Sequence, residues 1–292
     1  MIRESYNRIN RLLHKVNLSL VDIPIWVLGL VIAVMWAAPF IWMVSTSFKP
    51  TNEIMTKQIE WLPRTVVLDN YIRVFQYPVA RWALNSLIVA SIATFLGVML
   101  GAMAGYALAR LHFPGKNLIF ASLVASLMIP TEMTIVPLFL GCLKAGLINS
   151  YVALILPTIA PVLSVYIFRQ FFLGLPEELE DAAEIDGASR FGIFTRIAMP
   201  LARGPIIAAT ILLFTWNWNS FLWPLLAVFD ESMKTMPVGI AAFAPGVGSH
   251  TQLESFGPGM AGITLLSLPS LMIFFLLQRY FLEGITTTGL KG

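Results

Sequence analysis

Charged side chains are scarce in this sequence, and their scarcity excludes a water-soluble globular protein. Only 12% of the 292 residues are Asp, Glu, Lys or Arg, whereas a soluble domain carries roughly 25%. Half of the usual charge leaves too little polar surface to cover a soluble body. Hydrophobic residues make up 57% of the chain, and its mean hydropathy is +0.77. We therefore predict that most of the chain lies in a lipid bilayer.

Cysteine and histidine are also nearly absent. The single cysteine, Cys142, excludes an intrachain disulfide and a thiolate metal cluster. In the topology predicted below, His14 and His112 lie on one side of the membrane and His250 on the other, so they form no catalytic group. We therefore expect no catalytic, cofactor-binding or metal-binding residues. The net charge of +3 is dispersed among apolar segments, which excludes a nucleic-acid partner.

Long apolar stretches dominate the rest of the sequence. A helix needs about 20 predominantly apolar residues to cross the hydrocarbon core of a bilayer. Six segments meet this requirement: Ile23–Thr46, Ala83–Ala109, Leu118–Gly141, Tyr151–Phe168, Pro205–Phe229 and Ala261–Phe281. The first is too long for the apolar part of a secretory signal. The fold predicted is all-α and polytopic, with six transmembrane helices in one domain over 23–292 after a cytoplasmic segment, 1–22.

Basic residues indicate the orientation. Cytoplasmic flanks of membrane helices are enriched in Lys and Arg, and a cytoplasmic N-terminus places 12 of the 19 basic residues inside. Six spans then return the C-terminus to the cytoplasm. The same topology makes 47–82 and 230–260 external loops, and makes 173–204 and the tail 282–292 cytoplasmic.

Two glycine-containing strings resemble nucleotide-binding motifs only by coincidence. Gly257–Gly262 matches the dinucleotide-binding pattern, but it follows no strand and opens into a membrane helix. Phe113–Asn117 resembles the end of a phosphate-binding loop but lacks its leading glycine and its Ser or Thr. If ATP drives this protein, we expect another subunit to hydrolyse it.

A glycine stripe marks the second span. Gly97, Gly101 and Gly105 recur every four residues and so lie on one face of the helix. This spacing predicts close packing against a neighbouring helix, and a substrate groove is the alternative.

Polar side chains within two spans have two interpretations each. Glu132 lies about 14 residues into the third span, beside Pro130. A charge buried in lipid is costly, so Glu132 has two possible positions. Either it lines a hydrated path, or the span is displaced so that Glu132 reaches the outer membrane–water interface. Trp216, Asn217 and Asn219 lie in the middle of the fifth span. They either bridge helices or line a pore through which sugar hydroxyls pass.

The most polar segment lies between the fourth and fifth spans. Pro176 and the acidic residues after it suit the first turn of a helix, and Gly187 suits its end. Ser189 can cap a second helix, in which Phe191, Phe194 and Ile197 form an apolar face. We name residues 176–200 the elbow. An amphipathic hairpin on the membrane surface is the alternative, but the acidic first helix disfavours it beside an anionic leaflet.

The elbow resembles the "EAA" loop of the permeases of ABC importers. That pattern runs E-A-A-x-x-D-G-A and continues with spaced Phe, Ile, Leu and Pro, and here Asp181 replaces Glu and Met199 replaces Leu. Further stretches resemble the shorter permease of the maltose transporter and its carbohydrate-uptake relatives. They are Ser47–Pro50, Asn70–Tyr71, Gly105–Gly115 and Arg279–Gly292. The resemblance covers essentially the whole chain.

The resemblance implies a pore-forming subunit of a binding-protein-dependent sugar importer in a bacterial or archaeal cell membrane, the inner membrane if Gram-negative. It implies a second permease subunit, two ATPase subunits that use ATP and magnesium, and a soluble substrate-binding protein. The residues implied to contact the ATPase are Glu178, Asp181, Ala182, Ala183, Asp186, Gly187, Ala188, Phe191 and Phe194 of the elbow, and Gly289, Leu290, Lys291 and Gly292 of the tail.

The alternative function is an ion-driven secondary carrier. Such a carrier needs paired titratable groups near the middle of the bilayer, and only Glu132 lies deep within a span.

Overall fold

The computed structural model describes residues 23–54, 60–244 and 252–288. The cytoplasmic segment predicted over 1–22 and the tail residues Gly289–Gly292 lie outside these ranges. Within them, the regular structure is entirely helical. The α-helices are α1 Ile23–Ser47, α2 Thr51–Ile54, α3 Asp69–Phe75, α4 Val79–Arg110, α5 Lys116–Ser126, α6 Thr131–Lys144, α7 Tyr151–Ile155, α8 Val162–Leu173, α9 Glu178–Ile185, α10 Arg190–Ile193, α11 Met199–Leu201, α12 Arg203–Trp218, α13 Leu222–Ala227, α14 Met236–Ile240 and α15 Gln252–Thr288.

Membrane-spanning segments account for most of these helices. In the described ranges, four segments are long and apolar enough to cross a bilayer: Pro24–Ser47, Val79–Arg110, Tyr151–Leu173 and Phe256–Gln278. Two further pairs of helices qualify if each bent pair counts as one span, which raises the number to six. The prediction of an all-α, multi-pass membrane protein is confirmed.

The third span is sharply bent. Its two halves, α5 and α6, meet at an angle of 100°. Pro130 lies at the break with extended backbone (ψ 132°). It also disfavours helical geometry at Ile129, the residue before it. Pro137 lies inside α6 and does not end that helix. The bend places Glu132 in the first turn of α6.

The fifth span ends earlier than predicted. Helix α12 stops at Trp218, and the chain resumes helical structure as the short α13. Asn219 folds its side-chain amide back onto the carbonyl of Thr215 at 2.8 Å. Pro224 lacks the N–H that a continuous helix would bond to the carbonyl of Ser220. Trp216 and Asn217 therefore lie in the last turn of α12, and Asn219 follows as its capping residue.

Helix α4 is the centre of the packing. The face carrying its glycines lies against α8 and α12, and Ser164 Oγ donates a hydrogen bond to the carbonyl of Gly97 at 3.0 Å. A Cβ at Gly101 would lie 2.1 Å from Ser164 Oγ, and one at Gly105 would lie 2.7 Å from Phe168 Cβ. The prediction of close helix packing is confirmed, because no side chain fits at either position.

The predicted external loops contain regular structure of their own. The Asn85 amide at the start of α4 donates to the carbonyls of Ser232 and Lys234, both at 2.8 Å. Gly257 and the glycines after it belong to α15, which begins at Gln252, so the loop predicted to reach residue 260 is too long. A Cβ at Gly257 would lie 2.3 Å from Asn70 Oδ1. Tertiary packing thus fixes the end of a segment that the predicted topology assigned to a loop.

Candidate coupling elbow and membrane cavity

The first helix of the elbow ends in a glycine turn. Gly187 has φ +78°, its N–H donates to the carbonyl of Glu184 at 2.9 Å, and the N–H of Ala188 donates to that of Ala183 at 2.9 Å. This pair of hydrogen bonds is the Schellman motif, which satisfies carbonyls left open at a helix end. The prediction that the helix stops at Gly187 is confirmed.

The second part of the elbow begins as predicted at Ser189. Its hydroxyl accepts a hydrogen bond from the N–H of Gly192 at 3.1 Å, which is the usual role of a capping serine. The helix then passes through a π-helical turn, Phe194–Ala198, into α11. The segment Arg190–Leu201 meets α12 at 77°, so the elbow projects sideways from the fifth span.

Aromatic packing attaches the elbow to the membrane domain. Phe194 is 4% exposed, and its ring centroid lies 5.2 Å from that of Tyr106 and 6.5 Å from that of Phe172. The prediction that Phe194 belongs to an exposed docking face is therefore wrong. Tyr106 of α4 and Phe172 of α8 bury the ring of Phe194. Phe191 remains 66% exposed.

A buried acidic residue provides a second attachment. Glu180 is 7% exposed. The hydroxyl of Tyr106 donates to its Oε2 at 3.0 Å, and Arg110 Nε lies 3.0 Å from its Oε1. Arg110 also pairs with Glu177 at 3.3 Å and donates to the carbonyl of Leu175.

Sequence reasoning missed this group of residues. Glu180 was one of several acidic residues in a polar segment, and Arg110 contributed only to the orientation of the spans. The only signal in the sequence was an arginine that ends one span and a cluster of carboxylates about 70 residues later. Arg110 and the carboxylates come into contact only because the tertiary structure places the first helix of the elbow beside the end of α4.

Most of the predicted coupling residues face outward. Exposed positions are Glu178, Asp181, Ala182, Asp186, Gly187, Ala188 and Phe191, whereas Ala183 is half-buried. Ile185, which was not among the predicted site residues, is 86% exposed. An apolar side chain this exposed on a water-facing turn is a feature of a surface that binds a partner.

A cavity of about 1100 Å³ lies between α1, α6, α12 and α15. It brings together three of the four residues predicted to line a pore: Glu132, Trp216 and Asn219. Asn217 does not line it and is only 8% exposed, which favours the helix-bridging interpretation for that residue. The Asn219 amide nitrogen contacts Ser270 Oγ at 3.3 Å in addition to the carbonyl of Thr215.

The sequence of this chain matches a known transport family. Residues 97–287 match the family described as binding-protein-dependent transport system inner membrane component. The chain is 38% identical to the arabinooligosaccharides transport system permease protein AraQ of Halalkalibacterium halodurans, over 87% of this chain and 91% of that protein. It is 36% identical to the trehalose transport system permease protein SugB of Mycobacterium tuberculosis, over 87% and 92%.

A solved structure supports the fold. The chain superposes with a TM-score of 0.77 on a chain from a bacterial ABC transporter involved in the import of the acidic polysaccharide alginate. The alignment covers 90% of this chain and 98% of that chain at 18% sequence identity. With the match over 97–287 and relatives above 30% identity across most of their length, the chain belongs to the family of inner membrane components of binding-protein-dependent transport systems, as a multi-pass permease and not an enzyme.

Proposed function

We propose that this chain is one of two pore-forming subunits of an importer that carries a sugar or an oligosaccharide across the cell membrane. Relatives named as permeases for arabinooligosaccharides and for trehalose support a carbohydrate substrate. A second permease subunit completes the path, and a soluble binding protein delivers the sugar. Membership of the permease family favours this function over an ion-driven carrier.

Two ATPase subunits with bound ATP and magnesium drive the transport. The elbow is the segment that contacts them and transmits their movement to the membrane helices. The observation that carries this proposal is the division of the elbow into two sides. Glu180 and Phe194 attach one side to α4 and α8, while Ile185 and Phe191 lie exposed on the other. A rigidly attached segment with an exposed apolar tip can pass the movement of a partner to the membrane helices. The tail residues Gly289–Gly292 provide a further contact in this proposal.

The test is the substitution Gly187→Val in the complete transporter. A β-branched residue with positive φ costs about 1–3 kcal/mol of local strain. No atom outside the turn lies within 4 Å of the position where the Cβ would be, so the substitution changes the turn and creates no clash. We expect normal amounts of permease in the membrane, weak co-purification of the ATPase and a large loss of sugar uptake.

Two control variants separate the turn from mutation in general. Gly187→Asn keeps a residue type that tolerates positive φ, and it should retain most of the uptake. Gly204→Ala changes a helical glycine with open space around it and should have no effect. Wild-type uptake with the ATPase still bound in Gly187→Val would refute the role proposed for the elbow.

A further inference from the structure

We infer that the membrane cavity admits uncharged sugars and disfavours acidic ones, and that the Glu132 carboxylate makes this distinction. The inference rests on the proposed function, because it assumes that the cavity is this subunit's share of the sugar path. It concerns the ligand's charge, which neither the fold nor the names of the relatives determine.

The charge of the cavity lining supports the inference. Among the described residues that line the cavity, Glu132 is the one ionisable side chain, and Lys, Arg and His are absent. The remaining polar groups are all neutral: the hydroxyls of Ser and Thr residues, the Asn219 amide and the indole N–H groups of Trp216 and Trp223. An anionic ligand would therefore meet a fixed negative charge, and no basic side chain of the described lining would offset it.

The start of α6 adds an opposing field that Glu132 outweighs. The N-terminus of a helix carries a partial charge of roughly +0.5, which favours anions. Glu132 lies in the first turn of the 14-residue α6, so its full negative charge offsets that partial charge and leaves the region net negative. Without the carboxylate, the uncovered helix terminus would favour an anion.

The hydrogen-bonding groups of the lining suit a neutral sugar. The Asn219 amide nitrogen is committed to the Thr215 carbonyl and to Ser270 Oγ. Its Oδ1 accepts no hydrogen bond from any described residue. This oxygen and the Glu132 carboxylate are both acceptors, and sugar hydroxyls can donate to them. A sugar carboxylate has no proton to donate to either. The indole of Trp216, which is 71% exposed, contributes an apolar face to the same lining.

The experiment measures the electrostatic potential of the cavity and needs no knowledge of the sugar. Ser220, which lines the cavity, is changed to cysteine in the complete transporter, with Cys142→Ser to remove the native thiol. The new thiol is reacted with two methanethiosulfonate reagents of similar size, one carrying a cationic ethyltrimethylammonium group and one an anionic ethylsulfonate group. The rate measured for each reagent is divided by the rate at which the same reagent reacts with 2-mercaptoethanol in solution. The normalised rate of the cationic reagent is then divided by that of the anionic reagent. This ratio reports the local charge, because the accessibility and reactivity of the thiol affect both rates alike.

In the wild-type cavity, we expect the cationic reagent to react about tenfold faster after normalisation, because the Glu132 carboxylate lines the same partly aqueous cavity as the new thiol. Glu132→Gln should reduce the ratio to one or below, because the helix terminus is then uncovered. Glu178→Gln, which removes an exposed carboxylate of the elbow, should leave the ratio unchanged.

Three results would overturn the inference. They are a normalised ratio at or below one in the wild-type cavity, a ratio that Glu132→Gln does not alter, and a Ser220→Cys thiol that neither reagent reaches in any nucleotide state. Sugar uptake by the same preparations is measured separately. If sugar uptake is normal and any of these three results is found, the inference about ligand charge is wrong while the proposed transport function is retained.

Discussion

Arg110 and Glu180 form an ion pair that joins the end of α4 to the first helix of the elbow. Arg110 Nε and Glu180 Oε1 are 3.0 Å apart, and their side chains are 7% and 9% exposed. Removing Glu180 leaves the buried guanidinium of Arg110 with the exposed carboxylate of Glu177 as its partner in the described part of the chain, so its charge is less well compensated. The elbow's position therefore depends on a contact between residues 70 positions apart in the sequence.

Glu180→Gln should loosen the elbow. We expect faster hydrogen exchange of the amides over 178–188, weaker retention of the ATPase and reduced uptake, while the membrane spans remain folded. Glu178→Gln is the matched control for the exchange measurement alone, because Glu178 is exposed and forms no ion pair within the described part of the chain. Equal exchange rates in the two variants would mean that the Arg110–Glu180 pair does not hold the elbow.

The two phenylalanines of the elbow should behave differently when each is changed to alanine. Phe194→Ala leaves a cavity beside Tyr106 and Phe172, and such truncations cost about 3–5 kcal/mol. Its thermal transition in detergent should fall by several degrees. Phe191→Ala should leave that transition unchanged, because its ring is mostly exposed, and should instead weaken ATPase co-purification. A Phe191→Ala variant with full ATPase binding would remove Phe191 from the docking surface.

The glycine stripe of α4 should tolerate no side chain. In Gly101→Val, the Cβ would lie 2.1 Å from Ser164 Oγ and 3.2 Å from the Ser164 carbonyl carbon. We expect α4 and α8 to separate and the yield of folded permease to fall severely. Gly29→Val in α1 is the control, because no atom lies within 4 Å of the position where its Cβ would be. Comparable yields of the two variants in size-exclusion chromatography would contradict this packing.

The termini and the second external loop should lie on opposite sides of the membrane. Of the 19 basic residues, 12 fall inside in the predicted orientation. A reporter fused after Gly292 should be cytoplasmic and one inserted at Ser249 external, and both positions lie outside the described residues. Reporters that respond on the same side would overturn the six-span topology.

The structure is consistent with this orientation at both ends of α4. The Arg110 end of the helix contacts the elbow, and the Asn85 end contacts the loop at Ser232. A helix of 32 residues is about 48 Å long. The elbow and this loop therefore lie at opposite ends of the molecule.

The amino-acid sequence by itself determined the class of the protein and the local structure of the elbow. Low charge and long apolar runs require a membrane environment, because burial of apolar surface does not depend on the details of the fold. The turn at Gly187 and the cap at Ser189 were also predictable, since each is a short-range interaction between neighbouring residues.

Only the tertiary structure decided which side chains of the elbow are anchors and which are exposed. Phe191 and Phe194 are alike in the sequence, but the aromatic residues of α4 and α8 bury one of them. Glu180 differs from its acidic neighbours because Tyr106 and Arg110 reach it. Glu132 and Asn219 likewise line one cavity because the third span bends between α5 and α6 and α12 ends at Trp218. These contacts join residues far apart in sequence, so local pattern and composition do not specify them.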